Sequence, residues 1–153
     1  MALAQVNISL TSNDAEAKEQ MGKIIYDGSN GKAYKYVQFK DAATVGQVLE
    51  YTSTSGTLVS PVKSAAVGRV AAGVALTTMT DEYFGWMQIK GINTAVKADG
   101  GVAAGAQLVS DAALDGRVET ATTATRGRVI GFSLAADTTA TTTTATVVAD
   151  LRM

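Results

Sequence analysis

Residues 46–70 read GQVLEYTSTSGTLVSPVKSAAVGRV, and residues 105–129 read GAQLVSDAALDGRVETATTATRGRV. Laid over one another without a gap, Gly46 matches Gly105, Leu49 matches Leu108 and Val59 matches Val118, and Gly68-Arg69-Val70 falls on Gly127-Arg128-Val129. The offset is 59 residues from the first match to the last. The first copy runs on through GRVAAGVAL and the second through GRVIGFSL, so the copies span about 46–76 and 105–135. An internal echo of this kind decides the fold before any single element does. Two copies are too few for a solenoid, so the chain is expected to pack two pseudo-repeated strand modules into one all-β body, a small β-barrel or β-sandwich.

The sequence outside the echo supports this. Lys23 to Tyr26 is strand-like, Asp27 to Gly31 is a hairpin loop of residues that tolerate positive φ, and Lys32 to Phe39 alternates, with Tyr34 and Tyr36 on one face and Val37 and Phe39 on the other. Val45–Tyr51 and Leu58–Val62 read as two more strands, and Pro61 places the second at an edge or a bend. A long Val/Ala/Thr segment from Gly68 to Thr80 has Gly73 at its middle, marking a bulge or a close backbone approach. Tyr83 to Ile92 is the most aromatic strand, and Val129–Ala135 and Thr144–Leu151 form a closing hairpin around Asp137-Thr138-Thr139. The threonine run 138–146 reads as an exposed sheet face. Short strands at this spacing indicate a barrel or sandwich over residues 23–153. Residues 1–22 read as an extended arm: QVNISL alternates like a strand, and Asp14–Met21, too short for a stable lone helix, is expected to be flexible or ordered by a partner.

Composition narrows function. With 13 basic and 14 acidic residues the net charge is −1, which leaves no electrostatic footprint for nucleic acid or an anionic membrane. Cysteine and histidine are both absent, which excludes thiol chemistry, His/Cys zinc sites and His-based triads together. No run approaches the ~20 apolar residues of a membrane helix, and MALAQVNISL lacks the charged start and apolar core of a signal peptide. Synthesis in the cytoplasm is expected. Hydrophobic residues make up 46% of the chain but are mostly Ala and Val, which bury little area each at ~25 cal/mol per Å². Oligomerisation or docking on a partner is expected to supply the rest.

Candidate chemistry dissolves on inspection. Ser60 and Lys63 fit Ser-x-x-Lys, but Pro61 interrupts the helix start that pair requires and no companion motif follows. Gly28 to Lys32 lacks the upstream glycine and the following Ser/Thr of a phosphate loop. Asp27, Asn30, Asp99, Asp111, Asp115 and Asp137 sit in turns where Asp and Asn serve the backbone, and no calcium-loop spacing links them. The expectation is no enzyme, no cofactor and no metal. Two aromatic clusters, Tyr34/Tyr36/Phe39 and Tyr83/Phe84/Trp86, stand out in a chain only 6% aromatic. They read either as cross-strand core packing or as partner-binding anchors, Trp86 foremost. The arm, with Ala2, Leu3, Val6, Ile8 and Leu10, is a further candidate contact, because an extended strand can add to a neighbour's sheet edge.

The order YKYVQF (34–39), VGQVL (45–49), GRVAAGVAL (68–76), GWMQIKG (85–91), AGAQLV (104–109) and GRVIGF (127–132) resembles the capsid decoration, or cement, proteins of tailed bacteriophages across residues 32–151. The resemblance implies a small β-tulip-like barrel that forms homotrimers and sits on the outside of the virion where major capsid protein subunits meet. There it would stabilise the shell. A surface-displayed carbohydrate- or receptor-binding module, with Trp86, Tyr83 and the tyrosines near Tyr34 stacking on sugars, is the alternative. Another head or tail accessory protein is a close relative of the first reading.

Overall fold

The computed structural model describes residues 8–62, 70–111, 113–122, 129–139 and 141–148. Among them there are ten strands and no helix. β1 (Ile24–Asp27) and β2 (Lys32–Phe39) form the expected hairpin, with Gly31 N–H donating to Asp27 O at 3.0 Å. β3 (Val48–Tyr51), β4 (Leu58–Ser60) and β5 (Ala71–Ala75) follow, then the 14-residue β6 (Phe84–Lys97). β7 (Gln107–Ser110), β8 (Val118–Thr120), β9 (Val129–Ser133) and β10 (Thr142–Val148) complete the order.

Strands β2, β4, β3, β5 and β6 close on themselves, because β6 pairs with β2 as well as with β5. This is a closed five-stranded barrel, and closure removes the exposed edges that make sheets associate without control. β4 therefore lies inside the ring between β2 and β3, not at an edge. Pro61 falls just past its last residue, at a bend, where its missing N–H interrupts no ladder.

The echo in the sequence is an echo in the hydrogen bonding. Tyr51↔Val59 recurs as Ser110↔Val118, and the parallel pairing Phe39↔Val59 recurs as Ala98↔Val118. Leu49↔Gly73 followed by a bulge recurs as Leu108↔Gly131 followed by a bulge. The bridge Ala43↔Met79 recurs as Val102↔Asp137. A second ring thus runs through the later half of β6, β10, β9, β7 and β8, and the single bridge Ala98↔Val118 completes it. β6 is common to both rings: its first half ends one barrel and its second half begins the other.

One detail of the sequence alignment needs correction. The offset of 59 holds through Val59 and Val118, but β5 and β9 pair with their partners at an offset of 58, Ala71 standing where Val129 stands. Pairing to β3 and β7 fixes the register on either side. Glycine is required at the repeated position by close approach: a Cβ on Gly73 would lie 2.6 Å from Gln88 O, and one on Gly131 would lie 1.8 Å from Thr146 O.

The two interiors match position by position. Val37, Phe39, Leu49, Val59, Met87 and Ile89 fill the first barrel, and Val96, Ala98, Leu108, Val118, Ala145 and Val147 are their counterparts in the second. The second interior is thinner and more polar. Where the first has Tyr51, Ala75 and Met79, it buries Ser110, Ser133 and Asp137. The outer wall of the first barrel supplies the missing contact, with Val48, Ala71 and Val74 packing into the same cluster as the second barrel's core.

Candidate interaction surface

The first face to consider is the aromatic one. Tyr36 and Trp86 are opposed across β2 and β6, with ring centroids 5.1 Å apart in an edge-to-face contact at 61°. Tyr34 joins them, and all three are buried, Trp86 to 1% exposure. They are covered by the chain's own leading segment: Ile8, Leu10 and Met21 pack on the cluster. Asp14 bridges Phe84, Lys18 N–H donates to the Tyr36 hydroxyl at 3.1 Å, and the Asn13 amide exchanges hydrogen bonds with Thr80. A shallow cleft of about 190 Å³ stays open beside the strap, lined by Ile8, Ser12, Asp14, Lys18, Tyr36 and Trp86.

So the structure brings five of the sequence-derived contact residues, Ile8, Leu10, Tyr34, Tyr36 and Trp86, into one cluster within the chain. Ala2, Leu3 and Val6 lie outside the described residues. The expectation that the arm is free until a partner orders it is corrected for residues 8–22, which lie along the first barrel as irregular chain. Burying Ile8, Leu10 and Met21 on an aromatic surface offsets their ordering without a second molecule. The same burial leaves Trp86, Tyr34 and Tyr36 almost no exposed ring surface on which a sugar could stack.

The turn residues serve the backbone. The Asp27 carboxylate accepts from Ser29 N–H, Ser29 Oγ and Asn30 Nδ2, which holds its pKa below the usual carboxylate value. Ser60 Oγ donates to Asp41 Oδ2 at 2.6 Å and accepts from Val62 N–H at 2.9 Å, so it caps a bend; Lys63 lies outside the described residues. Asp111 accepts from the backbone of Ala113 and Leu114, and Asp137 accepts from Thr139 and Thr141. Asp99 differs. Burial first, then the charges of Asp111 and Asp137, push its pKa up, and its Oδ1 is buried without a hydrogen-bond partner. Among the described residues no group of three or more acidic side chains is arranged to hold a metal ion.

A second face escaped sequence reasoning. Phe132 on β9 and Ile92 on β6 flank Thr146 of β10 as direct cross-strand partners, so the three share one outward row. Phe132 is 46% exposed, Ile92 49%, and Leu134, just past β9, 50%. Ile24 and Tyr26 of β1 are exposed as well, Tyr26 to 66%. The signal was present in the echo. Phe132 occupies the position of Val74, which is fully buried in the first copy, and Leu134 that of Leu76, which packs against the Tyr36/Trp86 cluster. The repeat carries apolar residues onto a wall that the second copy leaves bare.

No family model matches this chain, and no curated protein matches it. Among solved structures, the N base of head fiber gp8.5 from bacteriophage phi29 superposes with a TM-score of 0.54 at 12% identity, over 86% of this chain and 100% of that one. The fold is similar to that of a phage head-fibre base. At this identity the likeness speaks for the path of the backbone rather than for any side chain. The whole of the fibre base finds a counterpart here, so the likeness is to the paired-barrel body and not to one hairpin of it.

Proposed function

We propose that this protein is a structural component of a phage head, one that binds the outside of the capsid as an oligomer and reinforces the shell. The observation that carries the reading is the fold shared with a head-fibre base along that protein's full length. Two features of the chain favour it. The polar and acidic side chains of the turns are turned inward onto their own backbone, which suits a scaffold. Ile24, Tyr26, Ile92 and Phe132 are exposed on strands β1, β6 and β9, where they can meet a neighbour. A regular lattice presents many identical sites, so contacts that are weak singly hold firmly as a set.

The experiment is reconstitution. Purified protein added to shells that lack it should saturate at a fixed copy number per shell and raise the temperature at which the shells release their contents. Absence of both effects rejects shell binding. A fibre-base role separates from a cement role by location: particle images would place a base under a projecting fibre, and a cement between capsid subunits.

A further inference from the structure

The first barrel closes on itself and leaves β1 outside the ring. Among the described residues the one strand neighbour of β1 is β2. β8, at the other end of the strand order, is bridged to Ala98 through Val118, so β1 is the open edge. Ile25 stands opposite Tyr34 in the β1–β2 ladder, and the carbonyls of Lys23 and Asp27 accept from Tyr36 N–H and Gly31 N–H. Backbone bonds alternate from side to side along a strand, so positions 23, 25 and 27 face β2, and the N–H and C=O groups of Ile24 and Tyr26 point to the free edge. Their side chains are exposed too, at 36% and 66%. The strand carries neither a proline nor a bulge, the devices that commonly blunt such an edge.

We propose that β1 pairs edge to edge and antiparallel with β1 of a second copy of this chain, Ile25 lying opposite Ile25 on a two-fold axis. The strand reads Lys23-Ile24-Ile25-Tyr26-Asp27, and turned end for end it complements itself. Lys23 falls opposite Asp27 of the second copy, and Ile24 falls opposite its Tyr26. Ile24 and Tyr26 own the outward backbone groups, so each such pair exchanges both of its N–H···O bonds. On the exposed face the same residues make apolar cross-strand pairs. A slide of two residues sets Ile25 against the second copy's Lys23 or Asp27, and a slide of four sets Lys23 against Lys23 or Asp27 against Asp27. Like charges directly opposite each other are destabilising, so charge selects the register. Within the chain Lys23 holds Glu19, and Asp27 holds Ser29 and Asn30, contacts that occupy neither Ile24 nor Tyr26. The same surface serves both copies, so the contact closes at two.

The joint is small. Two short strands bury well under the roughly 800 Å² per partner of a standard stable interface. One joint is therefore weak in solution and gains strength where a lattice holds copies side by side. The contact takes its biological setting from the proposed reading and nothing else. Its test is run in buffer without shells, so its failure and the failure of shell binding show separately.

Sedimentation of the full chain from ~10 µM to ~1 mM is the first assay, a range that brackets a weak contact. Wild type should pass from monomer to dimer as concentration rises. Tyr26→Pro removes an N–H that points to the free edge and breaks no bond to β2, so it should keep the fold and lose at least tenfold in association. Thermal melts matched to wild type check the fold, and Tyr26→Lys, a charge on the edge, replaces the proline variant if it fails them. The second assay reads the register. The chain has no cysteine of its own. Ile24→Cys and Tyr26→Cys, mixed and oxidised, place their thiols on directly opposed residues about 5.5 Å apart at Cα, within the ~4.4–6.8 Å that a disulfide spans. The mixture should cross-link at least tenfold more than either variant alone, whose thiols lie out of register. A wild type that stays monomeric throughout overturns the proposal. So does a folded Tyr26→Pro or Tyr26→Lys protein that dimerises like wild type, or a mixture that cross-links no better than its components.

Discussion

Gly46 and Gly105 make a controlled experiment that the repeat has already set up. Each is the third residue of a tight turn leading into a strand, with φ of 81° and 80°. Each donates its N–H to the matching strand, to Ala75 O at 2.9 Å and to Ser133 O at 2.8 Å. They differ in what surrounds them. A Cβ on Gly105 meets nothing within 4 Å, whereas a Cβ on Gly46 would sit 1.9 Å from Ala95 O. For Gly105→Ala the cost is the left-handed backbone alone, about 1–2 kcal/mol, reduced by the ~0.5–1 kcal/mol that alanine removes from the unfolded chain's entropy. The net is a loss of about 1 kcal/mol. Gly46→Ala carries the same cost, and in addition β6 must retreat by more than 1 Å to reach a normal contact of roughly 3.5 Å. That retreat strains the Lys97-to-Gly46 bond and the seam between the barrels, which adds about 2–3 kcal/mol or more. Urea unfolding, with slopes compared to exclude a change in the unfolded state, should put Gly46→Ala at least 2 kcal/mol below Gly105→Ala. If the two variants fall within 0.5 kcal/mol of each other, the close approach of the β3 turn to β6 is wrong, and with it the account of how the barrels join.

Three further outcomes can be checked. Asp99→Asn should stabilise by about 1 kcal/mol at pH 7, because it removes the negative charge of a half-buried carboxyl group that faces the Asp111 and Asp137 charges. The folded pKa of Asp99 is raised, so its cost is full above that pKa and fades as pH falls through it toward the unfolded value; the gain should shrink in the same interval in melts run from pH 7 to 4. Asp137 has the opposite sign: backbone and side-chain donors from Thr139, then Thr141, lower its pKa, so its contribution is lost only on acidification below the ordinary carboxylate value. Trp86→Ala should cost about 3–5 kcal/mol and loosen the strap, seen as faster tryptic cleavage after Lys18 under native conditions; unchanged cleavage would disconnect the strap from the cluster. Glu82 is the one non-glycine residue with positive φ among those described, at 62°, and its salt bridge to Lys40 is exposed. Glu82→Gly should therefore change stability by no more than about 0.5 kcal/mol in urea titrations, because relief of backbone strain is offset by the greater entropy of the unfolded chain and the loss of a weak surface pair.

The sequence by itself determined the strand content and the doubling. Alternation gave β2 its two faces, Asp27–Gly31 its hairpin, and the echo of 46–70 in 105–129 the two modules, because side-chain period and turn chemistry are local properties of the chain. Gly73 was legible as a close approach for the same reason. Tertiary structure decided the rest. Nothing in residues 84–97 says that one strand serves two barrels; that follows from β2 and β10 meeting it at different lengths along its path. Nor does the composition of Tyr36 and Trp86 reveal that residues 8–22 will cover them, since aromatic residues suit a core and an interface equally well. Phe132 and Val74 hold matching positions in two copies of one pattern, yet one is bare and the other sealed. Periodicity fixes which way a side chain points. Only the packing of distant segments fixes what, if anything, it meets there.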